Sequence, residues 1–202
     1  MSDLHDNQIH ILGPFNSGTN LLASLLKDNL QGVRTDHLGD GEIVWKHTLD
    51  EDAVHLLQNN PLNIIMIMYR PLTSWIAGVR KSPYDIVFLA DGTVSFRDRV
   101  YPSIVDLYNT YYNMYTKILQ RDENSTVMID YFKLLHPENG FNYLNGELQK
   151  VGAGYLKCKG KYLNVLMRPA KDHGSPVQNY KEALKKRKVD ENRINKWLKS
   201  RK

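Results

Sequence analysis

Apolar residues along this chain form short continuous runs that alternate with longer stretches in which they recur at every third or fourth position. The short runs at residues 8–12, 63–69 and 126–131 have the length and composition of β-strands. The run at 63–69 is nearly all apolar, as expected of a central strand covered on both faces. A further brief strand is predicted at 43–46.

Stretches with helical spacing separate and follow these runs. The pattern predicts helices at residues 19–29, 50–58, 102–121, 143–151 and 180–200, the last broken near Val189, and another that begins near Pro71. Thr48 or Asp50 is the candidate cap of the second helix, and the tyrosines of 102–121 are interpreted as core packing. Strands alternating with helices predict an α/β fold, a single domain over residues 1–202 with a central, mainly parallel sheet flanked by helices.

Charge is distributed unevenly along the chain. The 202 residues include 27 Lys and Arg and 22 Asp and Glu, a net charge of +5. Residues 155–202 hold 15 basic and 4 acidic residues, a balance of +11, whereas residues 1–154 hold 12 and 18, a balance of −6. This basic C-terminal segment suits nucleic acid, an anionic membrane or a highly charged small ligand, and a solvated helix without a partner fits equally well.

Composition indicates the class of protein. An aromatic fraction of 10% argues against a wholly disordered chain. No apolar run approaches the length of a membrane span, and the first residues are polar. Cys158 is the single cysteine, which excludes an internal disulfide and disfavours a Cys-ligated zinc site. We therefore expect a soluble, cytoplasmic protein.

The segment Gly-Pro-Phe-Asn-Ser-Gly at residues 13–18 separates the first predicted strand from the first predicted helix. Its glycines allow a sharp turn in which successive N–H groups point into one concavity, and the helix N-terminus behind them favours an anion such as phosphate. Polar side chains here belong to Ser17, Thr19 and Asn20. The Walker motif would continue with Gly-Lys-Ser/Thr, whereas this chain has Gly18-Thr19-Asn20. The missing lysine disfavours a kinase or NTPase, and an ordinary glycine-rich turn remains an alternative.

Residues 15–22, Phe-Asn-Ser-Gly-Thr-Asn-Leu-Leu, resemble the 5′-phosphosulfate loop of sulfotransferases, whose usual form is Pro-Lys/Arg-Ser-Gly-Thr-Thr/Asn. These enzymes move a sulfuryl group from 3′-phosphoadenosine 5′-phosphosulfate (PAPS) to a hydroxyl or amine. Two later segments are similar to family motifs in the same order. Residues 69–75, Tyr-Arg-Pro-Leu-Thr-Ser-Trp, resemble the 3′-phosphate motif, and residues 128–135 resemble a strand that usually ends in Tyr-Glu-Asp-Leu.

The resemblance implies a P-loop-like, sulfotransferase-type architecture with PAPS as co-substrate. The implied cofactor-binding residues are Asn16, Ser17, Gly18, Thr19, Asn20, Arg70, Ser74 and, in place of a C-terminal Arg-Lys-Gly, Lys171. Arg70 suits the 3′-phosphate bidentately, although an ion pair with a surface carboxylate is an alternative. Two family positions differ here, because Asn16 replaces the usual Lys or Arg and Gly78 replaces a serine.

The resemblance also implies a catalytic segment, Trp45-Lys46-His47. His47 is the candidate general base, since an imidazole ordinarily titrates at about pH 6.5. Lys46 is the candidate for stabilising the bridging oxygen. If His47 is instead a helix-capping or surface residue, Glu42 or Asp40 is the fallback base. In-line sulfuryl transfer requires no metal, and none is expected.

The sequence carries less information about the acceptor of the sulfuryl group and about the alternative function. Residues 80–84, Arg-Lys-Ser-Pro-Tyr, suit an anionic or carbohydrate acceptor that bears a hydroxyl, although a solvated helix end explains them too. The rival is a non-catalytic nucleotide or nucleic-acid binding module that uses the glycine-rich loop and the basic segment. That segment has no aromatic stacking motif, so a nucleic-acid partner is not expected.

Overall fold

The structure, a computed structural model, describes residues 7–27, 29–31 and 44–168. Its strands are β1 (Gln8–Leu12), β2 (Leu30–Gln31), β3 (Asn63–Tyr69), β4 (Ile86–Phe88), β5 (Val94–Phe96), β6 (Arg99–Tyr101), β7 (Thr126–Asp130) and β8 (Tyr155–Leu156). Its helices are α1 (Thr19–Lys27), α2 (Glu51–Gln58), α3 (Leu72–Lys81), α4 (Ile104–Arg121), α5 (Tyr131–Leu134), α6 (Gly140–Lys150) and α7 (Lys159–Met167). The predicted α/β class is confirmed.

Three parallel strands form the central sheet, in the order β1-β3-β7. Leu12 of β1 lies opposite Ile67 of β3, and Tyr69 of β3 lies opposite Asp130 of β7. Residues 63–68 are all buried, which confirms the prediction of a central strand covered on both faces. Because the three strands run in the same direction, their carboxyl ends meet at one edge of the sheet.

The sheet separates two hydrophobic cores, because alternate side chains of a strand point to opposite faces. Ile64, Met66 and Met68 of β3 pack with apolar side chains of α1, α6 and α7. Ile65 and Ile67 pack on the other face with side chains of α2, α3 and α4. Helices therefore cover both faces of the sheet.

The helices mostly begin where their capping residues predict. Asp50 caps α2, since its Oδ1 accepts the N–H of Ala53 at 3.0 Å. α3 begins directly after Pro71, as expected. The tyrosines at positions 108, 111 and 115 of α4 are buried, which confirms their interpretation as core packing.

Some elements differ from the predictions. Trp45 forms an isolated bridge and Lys46 and His47 lie in a turn, so the described part of 43–46 forms no strand. The small antiparallel sheet β4-β5-β6 and the pair β2-β8 have no counterpart among the predicted elements, because strands of two or three residues carry almost no periodicity.

Two further expectations concern a C-terminal helix and a membrane-spanning helix. The helix predicted at 180–200 lies outside the described residues. Within the ranges 7–27, 29–31 and 44–168, no helix combines the length and apolar character needed to cross a membrane.

Candidate functional site

The candidate site lies at the edge of the sheet where β1, β3 and β7 end. Loop 13–18 follows β1, Arg70 follows β3 and Tyr131 follows β7. Nη1 of Arg70 donates to the carbonyl oxygen of Asn16 at 2.5 Å, and Cζ of Arg70 lies 4.6 Å from the centroid of the Tyr131 ring. The residues predicted to bind two different phosphates are thus in direct contact.

Ser17 has a fully buried side chain in the loop. Its hydroxyl makes no hydrogen bond to any residue of the described chain. A Cβ on Gly13 would lie only 2.5 Å from Oγ of Ser17, so the loop accommodates this hydroxyl because residue 13 is glycine. A buried hydroxyl without a partner is costly, and an anion bound in the loop would provide an acceptor.

The N-terminus of α1 adds hydrogen-bond donors to the loop. The helix begins at Thr19, which is buried, and continues with Asn20, which is exposed. The first N–H groups of a helix have no intrahelical acceptor, and the positive end of the helix dipole lies among them. A helix start that follows a glycine-rich loop is a favourable place for phosphate or sulfate.

Gly18 allows the loop to pack against Tyr131. Its φ of +103° is in the left-handed region, and a Cβ there would lie 2.7 Å from Cδ2 of Tyr131. Tyr131 therefore contacts both the loop and Arg70. Tyr131 is not among the predicted site residues, because the predicted strand at 126–131 includes it, whereas in the structure it begins α5 directly after β7.

Arg70 is a half-buried cation. Its Nε donates to Oγ of Ser74 at 2.8 Å, in addition to the bond from Nη1 to Asn16. No carboxylate of the described chain pairs with the guanidinium, and Nη2 has no partner there. The described residues thus give no support to the alternative of a structural ion pair. An anion would satisfy the remaining donors.

Ser74 and Gly78 lie on successive turns of α3 beside this guanidinium. Ser74 is 4% exposed, and its Oγ accepts a hydrogen bond from Nε of Arg70. A Cβ on Gly78 would lie 3.2 Å from both Nη1 of Arg70 and Cβ of Asn16. Glycine at position 78 therefore leaves room for the contact between Arg70 and the loop.

Asn16 connects the loop to the chain after α3. Its Nδ2 donates to the carbonyl oxygen of Ser82 at 2.8 Å. Its φ of +59° is left-handed, a conformation that asparagine tolerates better than most residues. The side-chain nitrogen is therefore engaged by the protein. Arg70 brings a cation to the same residue, through the bond from Nη1 to the Asn16 carbonyl.

His47 lies against the loop. Its Nδ1 is 2.6 Å from the carbonyl oxygen of Gly13, which can only accept, so Nδ1 carries a proton. The residue is 6% exposed, and its ring centroid lies 4.2 Å from that of Phe15. His47 is therefore not a surface histidine. The N–H of Gly13 donates to the carbonyl of Lys46 at 2.9 Å, which places the Lys46–His47 segment beside the loop.

An aromatic cluster around Phe15 is not anticipated by the sequence analysis. Tyr84 stacks on Phe15 with centroids 5.2 Å apart, and the guanidinium of Arg97 lies 3.7 Å over the Trp45 ring. Among the described residues, the non-glycine residues with positive φ are Tyr84, Arg97 and Asn16. Such conformations cost about 1–3 kcal/mol each and concentrate at functional sites. All three belong to this cluster or adjoin it.

Three predicted residues lie outside the described residues, namely Lys171, Glu42 and Asp40. Comparison of the chain with protein-family models gives no match, and comparison with curated proteins gives none. The described residues bring together the loop, Arg70, Ser74 and His47. Chemically, this arrangement provides a site for an anion with an imidazole beside it.

Substitution of Asn16 separates the contribution of its hydrogen bond to Ser82 from that of its left-handed backbone conformation. Asn16→Ala should lower the free energy of unfolding by about 2 kcal/mol, because it removes the bond to Ser82 and leaves an ordinary residue in a left-handed conformation. Asn16→Gly removes the same bond without that strain, so its loss should be about 1 kcal/mol. Urea unfolding measures both values. Equal losses would show that the backbone conformation at residue 16 has no energetic importance.

Proposed function

We propose that this protein is a PAPS-dependent sulfotransferase of P-loop-like architecture. The observation that carries the proposal is the half-buried Arg70 guanidinium, which has no carboxylate partner among the described residues and donates to the carbonyl of Asn16 in the loop. A ligand with two separate anionic groups suits a helix N-terminus that adjoins such a cation. PAPS has this character, with a 5′-phosphosulfate and a 3′-phosphate.

The candidate residues of the loop and of the Arg70 segment each bind one part of PAPS in this proposal. Ser17, Thr19 and the first N–H groups of α1 bind the 5′-phosphosulfate, and Arg70 with Ser74 binds the 3′-phosphate. The buried hydroxyl of Ser17 supports this assignment, because it lacks an acceptor within the described chain. Arg70 also supplies the cation that is missing at Asn16. The single cysteine, Cys158, is free, as suits a reducing compartment such as the cytoplasm.

His47 is the general base of the proposed reaction. As the acceptor oxygen bonds to sulfur, its proton passes to Nε2 of His47, and the bond between sulfur and the bridging oxygen breaks. The hydrogen bond from Nδ1 to Gly13 supports this role, because a carbonyl acceptor orients the ring and stabilises the imidazolium that forms. Lys46 stabilises charge on the departing oxygen. The acceptor is a hydroxyl compound, with carbohydrate as one candidate class.

Ligand specificity tests the proposal against the rival binding module. 3′-Phosphoadenosine 5′-phosphate, the nucleotide product, should raise the melting temperature, because a ligand that binds only the folded state stabilises it, and a tighter ligand does so more at a given concentration. ATP with magnesium should have little effect. Stabilisation by ATP–magnesium but not by the bisphosphate, or tight and strongly salt-dependent binding of RNA, would favour the rival.

Arg70→Ala tests the 3′-phosphate contact. Loss of a partly buried charge pair should weaken binding of 3′-phosphoadenosine 5′-phosphate by about 2–4 kcal/mol. Adenosine 5′-phosphosulfate, which lacks the 3′-phosphate, should bind almost as before. Arg80→Ala is the matched control, because Arg80 is exposed at the other end of α3. Titration calorimetry gives the affinities, and equal losses for both nucleotides would make Arg70 a support of the loop.

His47→Asn tests the base. Turnover from labelled PAPS should fall by about 10²–10⁴-fold, the usual contribution of a general base, and the bisphosphate should still bind. The rate should also lose its decline at acidic pH, since that decline reflects protonation of the imidazole. Lys46→Ala should reduce turnover and keep the acidic decline.

The matched control for the histidine is His55→Asn, because His55 is exposed on α2. This variant should retain the parental rate and pH profile. Near-parental turnover in His47→Asn would exclude His47 and move the assignment to Glu42 or Asp40.

A further inference from the structure

Tyrosine hydroxyls of α4 bind the backbone at Arg70. The hydroxyl of Tyr112 accepts the N–H of Arg70 at 3.0 Å and donates to the carbonyl of Met68 at 3.1 Å. The hydroxyl of Tyr108 donates to the carbonyl of Arg70 at 3.0 Å. Both main-chain polar groups of Arg70 are therefore bound by side chains of one helix.

The chain needs these partners because the sheet ends just before Arg70. The pairing of β3 with β7 ends at Tyr69 opposite Asp130, so Arg70 lies beyond the ladder. Pro71 has no N–H, and a proline excludes helical conformations at the preceding residue. The peptide groups at Arg70 can therefore enter neither the strand nor α3, and buried groups of this kind require other partners.

The two tyrosines are suited to hold a fixed position. They are one helical turn apart on the same face of α4, and their ring centroids are 4.4 Å apart. Tyr108 also packs against Trp75 of α3 at 5.4 Å. Burial raises the pKa of both hydroxyls well above the ordinary value, so they keep the protons that they donate.

The neighbouring tyrosine of α4 holds the other candidate residue. The hydroxyl of Tyr111 donates to the carbonyl of His47 at 2.9 Å. Tyr115, by contrast, is fully buried, and its hydroxyl has no hydrogen-bond partner among the described residues. One helix thus contacts the backbone of Arg70 and of His47 through different side chains, and it also offers an internal control.

We infer that α4 positions the site: Tyr108 and Tyr112 set the place of Arg70, and Tyr111 sets the place of His47. The inference rests on the proposed function for its consequences in binding and turnover. Its structural content, that these hydroxyls order the two residues, holds independently of the ligand.

Tyr112→Phe removes the hydrogen bonds to the Arg70 N–H and to the Met68 carbonyl. It should reduce affinity for 3′-phosphoadenosine 5′-phosphate by about 10-fold, because the backbone of a binding residue is no longer held in place. Affinity for adenosine 5′-phosphosulfate should change less than about twofold, because only the 3′-phosphate contact moves. In an Arg70→Ala background, Tyr112→Phe should not change the ratio of the affinities for the two nucleotides any further. The effects of substituting two residues that act as a unit do not add.

Tyr111→Phe should give the complementary result. Turnover should fall by about 10-fold while both nucleotides bind as in the parent. Tyr115→Phe should leave the nucleotide affinities and the turnover at parental values. Loss of affinity for both nucleotides in Tyr112→Phe, or the same losses in Tyr115→Phe, would show a general packing defect and overturn the inference.

A measurement without nucleotide separates this inference from the proposed function. Nuclear magnetic resonance of the ¹⁵N-labelled protein should show a lower order parameter for Nε–H of Arg70 in Tyr112→Phe than in the parent or Tyr115→Phe. Unchanged order would overturn the inference, whatever binds. Lower order in a protein that does not distinguish the two nucleotides would support the inference and count against PAPS as the substrate.

Discussion

The hydrogen bond from the Arg70 guanidinium to the carbonyl of Asn16 holds the candidate site together. It joins the residue after the central strand to the loop after β1, and it exists because parallel strands end at a common edge. Gly78 leaves the space for it, and Tyr131 covers the guanidinium from the third strand. Three successive strand ends thus become one site through a single side chain.

The main consequence of this contact is electrostatic. Surface arginines usually pair with carboxylates, and such pairs contribute little. The Arg70 side chain instead donates its hydrogen bonds to neutral acceptors, the Asn16 carbonyl and the Ser74 hydroxyl. No carboxylate of the described residues pairs with its charge, which lies over the Tyr131 ring and beside the loop that carries the buried hydroxyl of Ser17. Under the proposed function, that combination supplies the positive charge that Asn16 does not.

Two groups of residues adjoin the site: the tyrosines of α4, and an aromatic cluster around Phe15 with three residues of positive φ in it or next to it. α4 holds the backbone of Arg70 and His47 through tyrosine hydroxyls, and its position depends on core packing against the sheet. Around Phe15 and Trp45, which pack in the same core as α4, Asn16, Tyr84 and Arg97 adopt left-handed conformations. The cluster adjoins the site through Phe15, whose ring centroid lies 4.2 Å from that of His47.

The sequence alone determined the three central strands, the helix after the loop and the candidacy of Ser17 and Arg70. Apolar runs, glycine spacing and residue type are local properties, so one segment suffices to reveal each. Only the tertiary structure decided that Asn16 binds Ser82, that Tyr112 holds Arg70 and that His47 is buried under Phe15. These contacts join residues 66, 42 and 32 positions apart. Local periodicity cannot predict contacts between residues so far apart in sequence, because these contacts depend on how the helices pack on the sheet.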